Sequence, residues 1–236
     1  MSTFLDWQIF FKDTGAGQTY LQWLLNAWAW TLLVSICAWI IALILGVSVG
    51  IIRTLQNQFI VFLGNAWAEV FRNIPLIIQI FIWYHVIPSL FITLRHVPSF
   101  ILVVVALGLF TSARISEQVK AGIESLPKGQ RQAAMALGFS NFQTYRYILL
   151  PLAFRIILPP LTSESMNIIK NSSVAFAVSV SELTMFALQA GEETSRNIEI
   201  FLATTCLYFV STLFVNQLSQ FLERRVKIPG TFGGDK

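Results

Sequence analysis

The sequence predicts an all-α, polytopic membrane protein with five transmembrane helices and a cytoplasmic helix–turn–helix loop. Two observations predict this class. Hydrophobic residues make up 55% of the 236 residues and charged residues only 12%, about half the charged fraction of ordinary soluble domains. In addition, residues 14–52, 73–94 and 200–222 hold no charged side chain. Because a spanning helix needs about 20 predominantly apolar residues, each of these runs is long enough to cross a bilayer.

The five predicted spans form one transmembrane domain over residues 27–222. The spans are residues 27–52, 66–90, 99–118, 151–173 and 200–222. The third span requires its helix to continue through Ile115, and the fourth contains Glu164 and Lys170. The preceding segment, 1–26, begins without the basic start and cleavage site of a secretory signal. We expect residues 1–13 to lie at the membrane interface as an amphipathic segment.

The distribution of Lys and Arg predicts the orientation of the chain. The richer set of loops holds Arg53, Lys120, Lys128, Arg131, Arg146, Arg224, Arg225 and Lys227. The opposite side holds Lys12, Arg95 and Arg196 beside four acidic residues. We therefore predict an N-terminus outside the cytoplasm, a cytoplasmic tail at 223–236 and a cytoplasmic loop at 119–150. Topology thus accounts for the net charge of +4, and a nucleic-acid partner is not indicated.

The 119–150 loop contains a short predicted helix. Residues 132–137 are good helix formers, and Gly138 is suited to end that helix in a left-handed conformation. A second helix then leads back into the bilayer. Ala133, Ala134 and Ala136 would give a surface with little side-chain bulk, which a partner could approach closely. The alternative is a solvated hairpin that only connects two spans.

Motifs along nearly the whole chain carry a family resemblance. The loop holds Gln132-Ala133-Ala134, Gly138 and Leu150-Pro151, and further motifs are Arg72-Asn73-Ile74-Pro75, GIESLPKGQ at 122–130 and Lys170-Asn171-Ser172-Ser173. These resemble the E-A-A coupling loop and neighbouring elements of bacterial ATP-binding-cassette importer permeases of the polar amino acid type, with Gln132 in place of Glu. SARISEQV at 112–119 and LERRVKIPG at 222–230 are similar to glutamate/aspartate permease subunits.

The resemblance implies a multi-pass subunit of the bacterial inner membrane that carries glutamate and aspartate, with glutamine, arginine or histidine as alternatives. Two cytoplasmic ATP-binding subunits would dock on the coupling loops of two paired permease subunits, in this chain at Gln132, Ala133, Ala134 and Gly138. A second permease subunit, related or identical, and a periplasmic substrate-binding protein would complete the machine, which works by alternating access. The chain has no G-x-x-x-x-G-K-[ST] phosphate loop, no catalytic cluster and no metal or cofactor motif, so ATP hydrolysis is expected in the partners.

Six ionisable residues lie within or near the ends of the predicted spans. They are Glu69, Arg72, Arg114, Glu117, Glu164 and Lys170, and their charges sum to zero. Glu69 and Arg72 are three residues apart, as are Arg114 and Glu117, so each pair can share a helix face. One interpretation is therefore two local ion pairs. The other is a transport pathway, since buried charges in membranes mark such pathways.

Expected breaks in the spans favour the pathway. Pro75 should free a backbone carbonyl near Phe71, Pro159 and Pro160 should act likewise, and residues 171–173 suggest unwinding. Interrupted helices at membrane depth are tolerated where they line a cavity. The candidate pathway residues are Arg72, Pro75, Gln79, Arg114, Glu117, Glu164, Lys170, Asn171, Ser172 and Ser173.

Arg114 is the candidate for substrate selection. The resemblance places an aromatic residue there in related permeases and Arg in the glutamate/aspartate type, where a guanidinium suits a side-chain carboxylate. Alternatively, Glu117 occupies Arg114 permanently, or the binding protein imposes all selectivity.

Two other functional classes stay open from the sequence. One is an autonomous ion-coupled carrier, although the internal repeat common in such carriers is not evident. The other is a scaffold that only holds an ATPase at the membrane. Gly46 and Gly50 form a G-x-x-x-G pattern that favours helix contact, but this pattern also arises by chance.

Overall fold

The structure, a computed structural model, describes residues 5–226; the predictions for residues 1–4 and for most of the tail, 227–236, lie outside the described residues. Every regular element within residues 5–226 is helical, which confirms the all-α class. The helices are α1 (Tyr20–Ile52), α2 (Gln58–Asn73), α3 (Leu76–Leu90), α4 (Ser99–Glu124), α5 (Lys128–Ala136), α6 (Asn141–Val178), α7 (Leu183–Thr194) and α8 (Asn197–Val226). Single π turns interrupt α3 at Ile82–Val86 and α6 at Tyr145–Leu149.

In the described chain, α1, α4, α6 and α8 are long and apolar enough to cross a membrane, and α2 with α3 makes a fifth span if the two are taken together. This pair is bent by 101°. The interruption predicted at Pro75 within the span 66–90 is therefore confirmed. Pro75 has no N–H and disfavours helical geometry at the preceding residue, and Ile74 accordingly has extended backbone angles (φ −92°, ψ 128°).

The third and fourth spans reach further into the loop at 119–150 than expected. Helix α4 continues to Glu124, beyond residue 118, and α6 begins at Asn141, before residue 151. The predicted loop of 119–150 is thereby reduced to α5 and two short turns. These turns fix α5 directly between two long helices.

Helix α6 is not interrupted where the sequence analysis expected. It continues through Pro159 and Pro160, and residues 172–178 form 3₁₀ helix before the chain turns at Ser179 (φ 60°). The predicted departure from the α-helix at 171–173 is thus found as a change to 3₁₀ geometry, but the chain stays helical and does not unwind. The Ser172 hydroxyl donates to the Ile169 carbonyl and the Ser173 hydroxyl to the Lys170 carbonyl, both at 2.7 Å, so these serines bond back to their own helix.

Close packing of α1 on α4 forms the centre of the molecule. A Cβ atom added at Gly46 would lie 2.6 Å from the Cβ of Ile115, and one added at Gly50 would lie 2.5 Å from the Cβ of Val119. Only glycine allows such an approach of two backbones. The G-x-x-x-G pattern is therefore confirmed as a helix-contact face.

Helix α7, at the end of the molecule opposite α5, was not predicted. Its N-terminus is capped by the buried Glu182 carboxylate, which accepts from the backbone N–H groups of Thr184 (2.8 Å) and Met185 (3.0 Å). Ile9 and Phe10 of a short 3₁₀ helix, Trp7–Phe11, are buried in the same apolar cluster as Phe186 of α7. The hydropathy pattern missed α7 because the helix is too short to be a span.

Candidate functional site

The loop between α4 and α6 presents α5 at one end of the molecule. Pro127 precedes the helix, and Gly138 ends it with a left-handed φ of +81°. The N–H of Gly138 donates to the Met135 carbonyl (3.0 Å) and the N–H of Phe139 to the Ala134 carbonyl (3.1 Å). This pair of bonds is the Schellman arrangement. The predicted left-handed conformation of Gly138 is confirmed.

Exposure within the loop changes the set of candidate docking residues. Gln132, Ala133 and Ala136 are exposed, whereas Ala134 is only 1% exposed and lies inside the loop's own fold. The expectation that Ala134 faces a partner is therefore wrong. Between residues 135 and 142, the large exposed apolar side chains are Met135, Leu137, Phe139 and Phe142. Together with Gln132, Ala133 and Ala136 they form what we call the docking surface.

An ion pair between α4 and α6 holds Arg114. Its Nε and Nη2 atoms donate to the two carboxylate oxygens of Glu164 at 2.8 and 2.9 Å, and Gln118 Nε2 donates to Glu164 Oε1 at 3.1 Å. The interpretation that pairs Arg114 with Glu117 is therefore wrong. A facing carboxylate allows bidentate geometry, which Arg114 makes with Glu164, fifty positions away in sequence.

Glu117 instead joins two arginines from other parts of the chain. Its Oε1 accepts from Arg53 Nη2 at 2.8 Å and from Arg72 Nη1 at 3.0 Å. The interpretation that pairs Glu69 with Arg72 is also wrong, and within the described residues Glu69 forms no ion pair. The side chain of Arg53 is 5% exposed and that of Arg72 is 47% exposed.

Arg53 is a functional candidate, although from the sequence it served only as one of the basic residues that predict the orientation of the chain. It follows α1 directly, and its other nitrogens donate to Asn65 Oδ1 of α2 (2.9 Å) and to Ser116 Oγ of α4 (3.0 Å). The sequence carries no signal for this role, because three separate elements meet there only in the folded chain.

Gln79 closes the break between α2 and α3. Its Nε2 donates to the carbonyls of Phe71 (2.7 Å) and Ile74 (2.9 Å), and the side chain is buried. The prediction that Pro75 frees the Phe71 carbonyl is thus confirmed. Gln79 holds the bend rather than facing an open path, whereas Pro75 itself is exposed.

The remaining pathway candidates lie further along α6. Lys170 is exposed and forms no ion pair within residues 5–226. Six residues separate it from Glu164, which is about 9 Å along a helix. Ser172 is buried, while Asn171 and Ser173 are half-buried. The structure therefore gathers Arg72 with Glu117 and Arg114 with Glu164, and it leaves the 170–173 segment apart from both pairs.

Taken together, the two clusters hold a surplus of positive charge. Arg53, Arg72 and Arg114 face Glu117 and Glu164, which is three cations against two anions. The described residues contain no group of three His, Cys, Asp or Glu side chains placed to hold a metal ion.

Comparisons with known proteins agree over nearly the whole chain. Residues 42–228 match the family described as "binding-protein-dependent transport system inner membrane component". The chain is 41% identical to the glutamate/aspartate import permease protein GltJ of Escherichia coli K12, covering 99% of this chain and 100% of that protein. It is 34% identical to the probable glutamine ABC transporter permease protein GlnM of Bacillus subtilis 168, covering 84% and 90% of the two chains. A solved amino acid ABC transporter crystallised with histidines superposes with a TM-score of 0.77 at 28% identity, covering 87% of this chain and 95% of that one.

Proposed function

The chain belongs to the family of binding-protein-dependent transport system inner membrane components, and from this premise we propose that it is the permease subunit of an ATP-driven importer for glutamate and aspartate. The choice of glutamate and aspartate as substrates rests on the full-length similarity to a glutamate/aspartate import permease.

Arg114 is the residue proposed to meet the substrate. Glu164 occupies its Nε and Nη2, but Nη1 makes no hydrogen bond within the described residues, and 42% of the side chain is exposed. The guanidinium can therefore receive a carboxylate at Nη1 without first losing Glu164. At membrane depth this contact is stronger than at a surface in water. Glutamate and aspartate carry the extra carboxylate that such a contact selects.

The partners follow from the docking surface and the orientation. We assign one of two cytoplasmic ATP-binding subunits to the docking surface, because exposed apolar patches at the end of a membrane protein mark protein contacts. The other would dock on the second permease subunit. A second permease subunit and a periplasmic binding protein complete the complex. In this arrangement the N-terminus is periplasmic, the C-terminus is cytoplasmic, and ATP is hydrolysed by the partner subunits.

The test is transport by the complete reconstituted complex. We expect glutamate and aspartate to stimulate ATP hydrolysis and to be taken up only with ATP. Arg114→Ala should lower uptake of both substrates about tenfold or more, because a hydrogen bond to a charged group contributes about 1.5–3 kcal/mol. Arg114→Lys keeps the charge without the bidentate geometry, so its uptake rate should lie between those of the wild type and Arg114→Ala. Normal uptake by Arg114→Ala, with assembly preserved, would assign selectivity to the binding protein.

Glutamine is the second candidate substrate, because the chain is 34% identical to a probable glutamine permease. The same assay distinguishes the two. Uptake of glutamine in preference to glutamate by the wild-type complex would support this candidate. Uptake by the chain alone, driven by an ion gradient, would contradict both.

A further inference from the structure

Tyr145 ties the cytoplasmic loop to the turn that follows α1. Its buried hydroxyl donates a 2.7 Å hydrogen bond to the backbone carbonyl of Thr54 and lies 3.0 Å from Thr54 Oγ1. On the other side, the guanidinium carbon of Arg131 in α5 lies 5.8 Å from the centre of the Tyr145 ring. One aromatic side chain therefore contacts both α5 and the α1–α2 turn.

The α1–α2 turn leads directly to the Arg53–Glu117–Arg72 cluster. Thr54 is bonded to Arg53, whose side chain reaches Asn65, Ser116 and Glu117. Arg72, the other partner of Glu117, lies two residues before the break at Ile74. A continuous set of contacts thus connects α5 with the bend between α2 and α3.

The two arginines that contact Glu117 differ in burial and in their number of hydrogen-bond acceptors. Arg53 is almost fully buried with three different acceptors, whereas Arg72 is nearly half exposed and has Glu117 as its one acceptor in the described chain. A shift of Arg53 would therefore pull Glu117 with it and release Arg72 first. Tyr145 also lies in a π turn, a geometry that is rare and frequent at functional sites.

We propose that Tyr145 is a positioning residue that couples movement of the docking surface to the Arg53–Glu117–Arg72 cluster and hence to the α2–α3 bend. The proposal rests on the proposed function, since it needs ATP-binding subunits at the docking surface. Movement of α5 is passed to Thr54 by the Tyr145 hydroxyl, and Arg53 carries it to Glu117.

The experiment compares Tyr145→Phe with Tyr147→Phe in the complete complex. Tyr147 lies in the same π turn and is 62% exposed, and its hydroxyl makes no hydrogen bond within the described residues. The readouts are copurification of the ATP-binding subunits and the number of substrate molecules transported per ATP hydrolysed. We expect Tyr145→Phe to copurify and hydrolyse ATP but to transport about two- to thirtyfold less substrate per ATP, which corresponds to the coupling changes of about 0.5–2 kcal/mol known for residues along a coupling route. Tyr147→Phe should match the wild type.

A double-mutant cycle with Arg53→Lys tests whether the two residues act in one route. Residues that share a network are not additive, so the double variant should be no worse than the more affected single variant. Additive losses, an unchanged ratio in Tyr145→Phe, or its failure to assemble would each overturn the proposal. If glutamate and aspartate did not stimulate ATP hydrolysis by the wild-type complex, that result would contradict the proposed function itself.

Discussion

Glu117 and Glu164 each serve side chains that come from other helices, so one carboxylate fixes several elements at once. Glu117 is shared by Arg53 and Arg72, and Glu164 by Arg114 and Gln118. A cation left without its partner in a poorly hydrated site is strongly destabilising. The consequence is greatest for Arg53, because its side chain is almost fully buried.

Glu117→Ala should therefore destabilise the protein by about 2–4 kcal/mol, because it leaves the buried Arg53 with neutral acceptors only. The measurement is the thermal unfolding midpoint of the purified complex in detergent. Glu192→Ala is the matched control, since Glu192 is exposed and forms no ion pair within residues 5–226. Equal midpoints for the two variants would show that Glu117 is dispensable for the fold.

At the scale of elements, two features set the positions of the helices. The α1–α4 contact depends on glycines that admit Ile115 and Val119, and the α2–α3 bend depends on Pro75 and on the Gln79 amide that caps the freed carbonyls. The docking surface depends in turn on how α5 ends. Its last turn is closed by Gly138 in a conformation that L-residues with a side chain rarely adopt.

Gly138→Ala should destabilise the loop by about 1 kcal/mol through backbone strain alone, since an added Cβ would meet no atom within 4 Å. The expected result is weaker retention of the ATP-binding subunits during purification, with normal insertion in the membrane. Gly129→Ala is the control, because it also meets no atom within 4 Å and its φ is not positive. Equal retention by both variants would contradict the role of the Gly138 turn.

At the scale of the whole molecule, the sequence predicted what depends on local composition. Uncharged runs predicted the spans, because the apolar composition of a spanning helix is a property of its own segment. Gly138 likewise predicted the turn that ends α5, because a left-handed conformation favours glycine. The actual partners of the buried charges could not be predicted, because Arg114 and Glu164 lie fifty positions apart and meet only when α4 packs on α6. The burial of Ala134 and the role of Arg53 depend on the same long-range packing. Helix α7 lacked the length that makes a hydropathy signal.

The orientation is the whole-molecule property with the most direct test. Lys12 lies beside the N-terminal 3₁₀ helix and Lys128 begins α5, and both side chains are exposed. We expect a maleimide that cannot cross the inner membrane to label Lys12→Cys in intact cells, and Lys128→Cys only after that membrane is permeabilised. Cys37→Ala and Cys206→Ala would provide the background, since both cysteines lie within spans. This expectation follows from the excess of Lys and Arg on the side of α5. Labelling of Lys128→Cys in intact cells would show the opposite orientation, in which cytoplasmic ATP-binding subunits could not reach the docking surface.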